Sequence, residues 1–257
     1  MLRTAALCLL LATVFAAEPI PWPPSLDVPR LPTAPVDLAD PVWASAALIP
    51  DLVGPLLEDG TRFAKPVAAC EVRLGWTPEA LHLRFQVSDD DSWSPNAKRD
   101  GELFRGDCVE VFFDPVGDGL ALAEFQIAPN GAIFDQQILL TTVPRYQPDG
   151  RLEWAVLKDF WAMTEWNCDG VTAVTAPWPE GKGWVCSLTL PAKPLLRRLG
   201  REQFEPMRLR ANLARHDWRP PHTADDLVPS YWSPVMFGCP HFSHGRLGTW
   251  NLVASKP

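Results

Sequence analysis

The chain has 257 residues, 47% of them hydrophobic and 21% charged, with 28 prolines and 12 tryptophans against 2 tyrosines. That apolar fraction is ample for a core and excludes disorder, collagen and coiled coil. A formal net charge of −8 argues against a nucleic-acid partner, which would need a basic surface.

Residues 1–17 read as an export signal. Arg3 supplies a positive start, Ala5 to Val14 an apolar stretch, and Ala16-Ala17 a small-residue cleavage site. No other apolar run reaches the roughly 18 residues that span a bilayer. The expected location is therefore secreted or periplasmic, with no transmembrane segment. Export places Cys70, Cys108, Cys168, Cys186 and Cys239 in an oxidising setting, where an odd number leaves at least one thiol free. Cys168 and Cys186 close a short loop between two apparent strands and are the expected disulfide, a link worth roughly 3 kcal/mol.

From Glu18 to Val36 there are seven prolines in nineteen residues, which predicts an extended leader over 18–36. The rest, 37–257, shows no repeat and no second linker, and reads as one domain. Its periodicity is mostly two. Cys70, Val72, Leu74 and Trp76 alternate with Glu71, Arg73 and Gly75, and Leu81 to Val87 alternate with His82, Arg84 and Gln86. Val109, Val111 and Phe113 alternate with Cys108, Glu110 and Phe112. Phe125 and Ile127 alternate with Glu124 and Gln126 before a Pro129-Asn130-Gly131 turn into Ile133-Phe134. Trp184 to Leu190 follows a glycine turn, and Met207 to Leu213 alternate with Arg208, Arg210 and Asn212. Only Lys193 to Arg201 has a helical look. The predicted fold class is all-β: an antiparallel two-sheet β-sandwich, jelly-roll-like, with one short helix.

The polar side of those strands carries the functional signal. His82, Arg84, Gln86, Glu110, Glu124, Gln126, Arg210 and Asn212 are mostly planar groups with paired donors or acceptors. Vicinal sugar hydroxyls match such groups, and sugar C–H faces stack on aromatic planes. Trp93, Phe104, Trp218, Trp232 and Phe242 fall in loop-like contexts. The competing reading is that these charges simply pair across strands.

The run Gly106-Asp107-Cys108-Val109-Glu110-Val111-Phe112-Phe113-Asp114-Pro115 resembles the "GD-x-VE-(I/V)-F-x-DP" strand of family 9 carbohydrate-binding modules. Asp40 to Trp43, Leu81 to Asp90, Ala123 to Asp135, Gly183 to Pro191, Met207 to Asp217 and His241 to Leu252 resemble that family's other segments, in order. The resemblance implies a sandwich that binds saccharides at chain ends without catalysis. It also implies frequent association with polysaccharide-degrading enzymes and frequent bound calcium, with no cofactor required. Matched position by position, it assigns sugar contacts to Glu110, Glu124, Gln126, Arg210 and Asn212, beside Arg84 from the alternation. Where the family clamps the ring between two tryptophans, this chain has Phe104 and, at the second position, His241 or Phe242.

Asp89 and Asp91 offer hard oxygen ligands to calcium, although the spacing is not that of an EF-hand and an acidic hairpin tip reads the same way. His241 and His244, with Cys239, His216 and His222, lack the paired ligand blocks of a zinc site. Three other functions compete, one of them a purely structural or adhesive envelope protein. A glycoside-cleaving enzyme would use Glu110 and Glu124 as an acid–base pair, but Arg84 and Arg210 are expected nearby, holding both ionised. A haem-binding electron-transfer domain of the related DOMON type would ligate iron through Met163, Met207 or Met236 with His216.

Overall fold

The computed structural model describes residues 23–57, 61, 65, 67–146, 152–178, 182–235 and 240–254, with only the backbone of 141–146, 152–160 and 242. The signal residues 1–17, Met236 and Cys239 lie outside them.

Two sheets face each other. The smaller runs β2 (Ala47–Ile49), β3 (Cys70–Trp76), β4 (Ala80–Ser88), β10 (Gly183–Pro191) and β9 (Thr172–Pro177), in that spatial order. The larger runs β1 (Ser25–Pro29), β13 (Gly248–Val253), β11 (Arg208–His216), β5 (Cys108–Asp114), β6 (Ala121–Ile127), β7 (Ile133–Tyr146) and β8 (Leu152–Met163), with β12 (Ser230–Tyr231) paired to β11. All pairings but β1 with β13 are antiparallel. The fold is the all-β sandwich expected. Its short helix, α1 (Ala192–Leu195), is followed by a 3₁₀ turn at Arg197–Leu199. No helix among the described residues is long and apolar enough to cross a membrane.

Alternation builds the core. Val72, Leu74, Leu83 and Phe85 from the smaller sheet meet Val109, Val111, Phe113, Phe125, Leu213 and Trp250 from the larger, all buried. Gly183 is required where β10 starts beside β4. Its φ is +136°, and a Cβ there would lie 1.9 Å from the Val87 carbonyl oxygen.

Two expectations are corrected. The folded unit begins inside the stretch read as leader, because β1 pairs with β13 along Ser25–Pro29. As an edge strand it tolerates Pro29, whose missing N–H costs no ladder bond on the open side. The Trp76 indole N–H, donated to the carbonyls of Val28 (3.1 Å) and Val253 (3.0 Å), locks β1 to the sandwich. The second correction is the disulfide. Cys70, Cys108, Cys168 and Cys186 are all free and buried. Both sit in the core between the sheets, Cys186 on β10 and Cys168 in the connection from β8 to β9 with its N–H held by Asp135, and no bond joins them. Without reductant, mass spectrometry of denatured, alkylated protein should find both Cys168 and Cys186 modified; a linked peptide pair would contradict this.

His82, on the outer side of β4, is buried between the Thr77 hydroxyl (3.2 Å) and the Thr189 hydroxyl (3.4 Å). Burial lowers its pKa from 6.5 to about 4. A depressed folded-state value means stability present above pH 6.5 and lost as pH falls through 4. The full swing is about 3 kcal/mol. His82→Gln should therefore flatten the acid limb of stability between pH 6.5 and 4 in denaturant titrations, and an unchanged limb would refute the assignment.

Candidate functional site

The outward side of the larger sheet is also buried. Phe112, Leu122, Ile138, Ala214, Tyr231, Val235 and Leu247 form a second apolar cluster there, so the chain from β12 to β13 covers the centre of the sheet. Within that cover, adjacent strands bring Cys108 and Glu110 (β5), Glu124 and Gln126 (β6), Gln136 (β7) and His216 (β11) together, and a 3₁₀ turn at Pro240–Phe242 adds His241. The register explains the grouping: Glu110 lies opposite Gln126, Glu124 opposite Gln136, and Cys108 opposite His216.

Glu124 is the hub. Its Oε1 accepts from the Gln126 amide at 2.6 Å, and its Oε2 from the Gln136 amide at 2.6 Å and the His241 imidazole at 2.9 Å. Burial pushes this carboxyl up, but the His241, Gln136 and Gln126 bonds outweigh it and hold the pKa below its ordinary value. Glu110 is the opposite case. Burial drives its pKa up against the pull of His216, whose Nε2 lies 3.7 Å away. The arginines expected to hold both carboxyls ionised are elsewhere. Arg84 is on the smaller sheet, donating to the Leu38 carbonyl (2.8 Å) and Gln86 (3.3 Å). Arg210 donates to the carbonyls of Gly248 (3.2 Å) and Leu247.

Asn212 is also spent structurally. Its amide and carbonyl bridge both backbone groups of Ser233 at 2.9 Å, and its oxygen takes the Leu213 N–H as well. Of the sequence-assigned sugar contacts, then, Glu110, Glu124, Gln126, Phe104 and His241 converge, while Arg84, Arg210 and Asn212 do not. The Phe242 side chain lies outside what is described. Gln136 and His216 belong to the cluster but were not assigned. Continuing the alternation past Phe134 would have found Gln136, and the Cys108–His216 register would have found His216.

The rim is aromatic. Phe104 is 38% exposed. Its N–H donates to Gln126 Oε1 (3.1 Å), and its carbonyl accepts from the Trp218 indole (3.0 Å) and faces His216 Nδ1 (3.3 Å). Trp93 stacks on His222 with ring centres 4.3 Å apart and tilts against Trp218 at 6.1 Å. Buried Asp107 fastens the rim by accepting the backbone N–H groups of both Trp93 and Trp218. Trp232 instead packs on Trp250 and over Gly248. Met207 and His216 flank opposite ends of β11, roughly 30 Å apart along an extended strand, and cannot share a haem iron.

Asp89, Asp91 and Asp107 place carboxylate oxygens within 4.8 Å of one another. Asp89 Oδ2 is buried without a hydrogen-bond partner, and Arg215 lies 3.7 Å from it. Asp107 spends both oxygens on backbone N–H groups and Asp91 Oδ2 meets His222 at 2.7 Å, which leaves Asp89 Oδ2 as the oxygen without a hydrogen bond, facing the Arg215 charge; oxygen-only donors are the type calcium takes.

No family model matches the sequence, and no curated protein does. Solved structures do match. A candidate carbohydrate-binding protein of Bacteroides uniformis superposes with a TM-score of 0.63 at 16% identity, covering 90% of this chain and 100% of that one. A family 9 carbohydrate-binding module of Caldicellulosiruptor kristjanssonii, solved with cellotriose, gives 0.59 at 13% identity over 90% and 95% of the two chains. Its glucose complex gives 0.59 at 12% identity over 90% and 97%. The fold is that of a family 9 carbohydrate-binding module. On this family 9 fold the buried Glu124 network and the exposed Phe104 ring serve different ends, which separates their variants. Glu124→Ala should cost about 1–3 kcal/mol of stability by stranding His241 and two amides. Phe104→Ala should leave the melting curve within about 0.5 kcal/mol of wild type. Equal stability losses in the two would contradict this division.

Proposed function

We propose that this is an exported, non-catalytic carbohydrate-binding protein whose pocket lies on the outward side of the larger sheet at Glu110, His216 and His241, with Phe104 at its mouth. One observation carries the reading. An exposed aromatic ring is tied through its own backbone to two members of a polar cluster, Gln126 and His216. A platform for a sugar ring is thereby held at fixed height over groups that bond hydroxyls. Glu110 and His216 would meet the ligand, whereas Glu124, Gln126 and Gln136 would set the floor. The fold shared with modules solved with glucose and cellotriose supports this reading. Glycoside cleavage is disfavoured because both Glu124 oxygens already accept charge-assisted bonds. The proposed context is delivery of polysaccharide-degrading enzymes to their substrate.

Calorimetric titration with cellotriose and glucose, backed by a glycan screen, tests the site. Glu110→Ala and Phe104→Ala should each weaken binding by about 1–3 kcal/mol with unchanged circular dichroism. Wild-type affinity in both, for a confirmed sugar, would sink the proposal.

Calcium belongs to the same reading, held by Asp89, Asp91 and Asp107 behind the aromatic rim. Saturating calcium at about 100 times its Kd should add roughly 2.7 kcal/mol of stability, seen as a higher melting temperature than in chelator. Asp89→Asn should abolish that gain. Identical melting with and without calcium would remove the metal from the account.

A further inference from the structure

Around the buried Glu110 lies a donor set of which the saccharide reading uses Glu110 and His216 but not the thiol of Cys108. Cys108 Sγ, a Glu110 carboxylate oxygen and a His216 ring nitrogen lie within 4.8 Å of one another. They combine a thiolate, a carboxylate and an imidazole, the ligand types that zinc accepts. We propose that Cys108, Glu110 and His216 form a binding site for a zinc-type divalent cation, with the fourth coordination position left open toward the pocket.

Geometry makes the case. With metal bonds of about 2.0–2.3 Å, the edges of a tetrahedral donor set are about 3.3–3.8 Å long. Cys108 Sγ lies 3.8 Å from Glu110 Oε1 and His216 Nε2 lies 3.7 Å from the other oxygen, Oε2, so a cation between them would be met by both oxygens of Glu110 or would draw one of them in. These are already near the lengths a bound cation would impose, and too long for good hydrogen bonds between oxygen and nitrogen. The imidazole is oriented for the task. Its Nδ1 faces the Phe104 carbonyl at 3.3 Å, the contact that fixes the tautomer with a free lone pair on Nε2, as in metal-bound histidines generally.

Glu110 itself is the second, independent observation. It is 2% exposed, and among the described residues no amide, hydroxyl or guanidinium donates to it. The Cys108 thiol and the His216 imidazole lie nearest, with Glu124 and His241 close enough to act on its charge. Glu124, in the same cluster, takes three good donors. A buried carboxylate left without such donors takes up a proton or meets a cation. Strand register supplies the rigidity: Cys108 and Glu110 are two apart on β5, and His216 sits across from Cys108 on β11. His216 is partly exposed, which gives an entry path. The fourth position would take water or a ligand oxygen.

The inference goes beyond the saccharide reading and stands without it, although both use Glu110 and His216. The test is cobalt titration of chelator-stripped, reduced wild-type protein, followed by absorbance. Expected are tetrahedral d–d bands in the visible and a thiolate-to-cobalt charge-transfer band in the near ultraviolet, both displaced by zinc. Cys108→Ser should lose the charge-transfer band, and His216→Gln should weaken cobalt binding by at least about tenfold, each with wild-type circular dichroism. A folded wild type without the charge-transfer band overturns the site, whatever the variants do. The same band in Cys108→Ser, placing the metal on another thiol, overturns it too. Sugar binding measured in chelator reads the saccharide proposal separately.

Discussion

A carboxylate at 1% exposure persists in its charged form only where donors replace the water it has lost. At Glu124 those donors are two amides and an imidazole. One comes from its own strand, one from β7 and one from the turn at Pro240–Phe242, so the network joins the sheet to the segment that covers it. The apolar residues around it, Phe112 from β5 and Val235 and Leu247 from the cover, exclude solvent and strengthen each bond. Phe112 also meets His241 edge-on at 5.4 Å, which packs the imidazole that Glu124 bonds. The centre of the larger sheet is thus covered on both sides, and Phe104, His216 and His241 are the members of the cluster left partly exposed.

The aromatic rim depends on a second buried carboxylate. Asp107 gathers two backbone N–H groups from segments far apart in sequence. The adjoining Gly106 lets them come close, since a Cβ there would lie 2.6 Å from Pro95 Cδ and 3.0 Å from the Trp93 carbonyl oxygen. The "GD" pair is therefore a packing device, whatever else Asp107 holds. It allows the loop carrying Trp93 to lie against the start of β5, four residues before Glu110.

What could be read from residue order was parity. Alternation along β5 and β6 sorted Val109, Val111, Phe113 and Phe125 to the core and Cys108, Glu110, Glu124 and Gln126 away from it. Parity does not say which sheet a strand joins, and so Arg84 was grouped with residues on the opposite outer surface. Nor does it say that the polar side is itself covered. The chain from Tyr231 to Leu247 has no strand period to announce the cover, yet it claims Asn212 and Arg210 through backbone carbonyls. Pro24 and Pro29 hid β1, because proline density reads as leader whether or not an edge strand lies between them. The Cys168–Cys186 pairing failed for a related reason: nearness in sequence spanned the crossover between two sheets.

These constraints bear on the size of what could bind. The accessible part of the cluster is narrow: one phenyl ring, two partly exposed imidazoles and the edge of Glu110. Gln126 and Gln136 are turned inward onto Glu124, and Asn212 is turned onto Ser233. A long polysaccharide lying along a sheet needs a row of exposed groups; along β6 the outward residues are buried, and along β11 only Arg208, at the far end from His216, is fully exposed. A compact ligand entering beside Phe104 meets all the open groups at once. Within the saccharide proposal, such an arrangement favours one terminal ring over the interior of a chain.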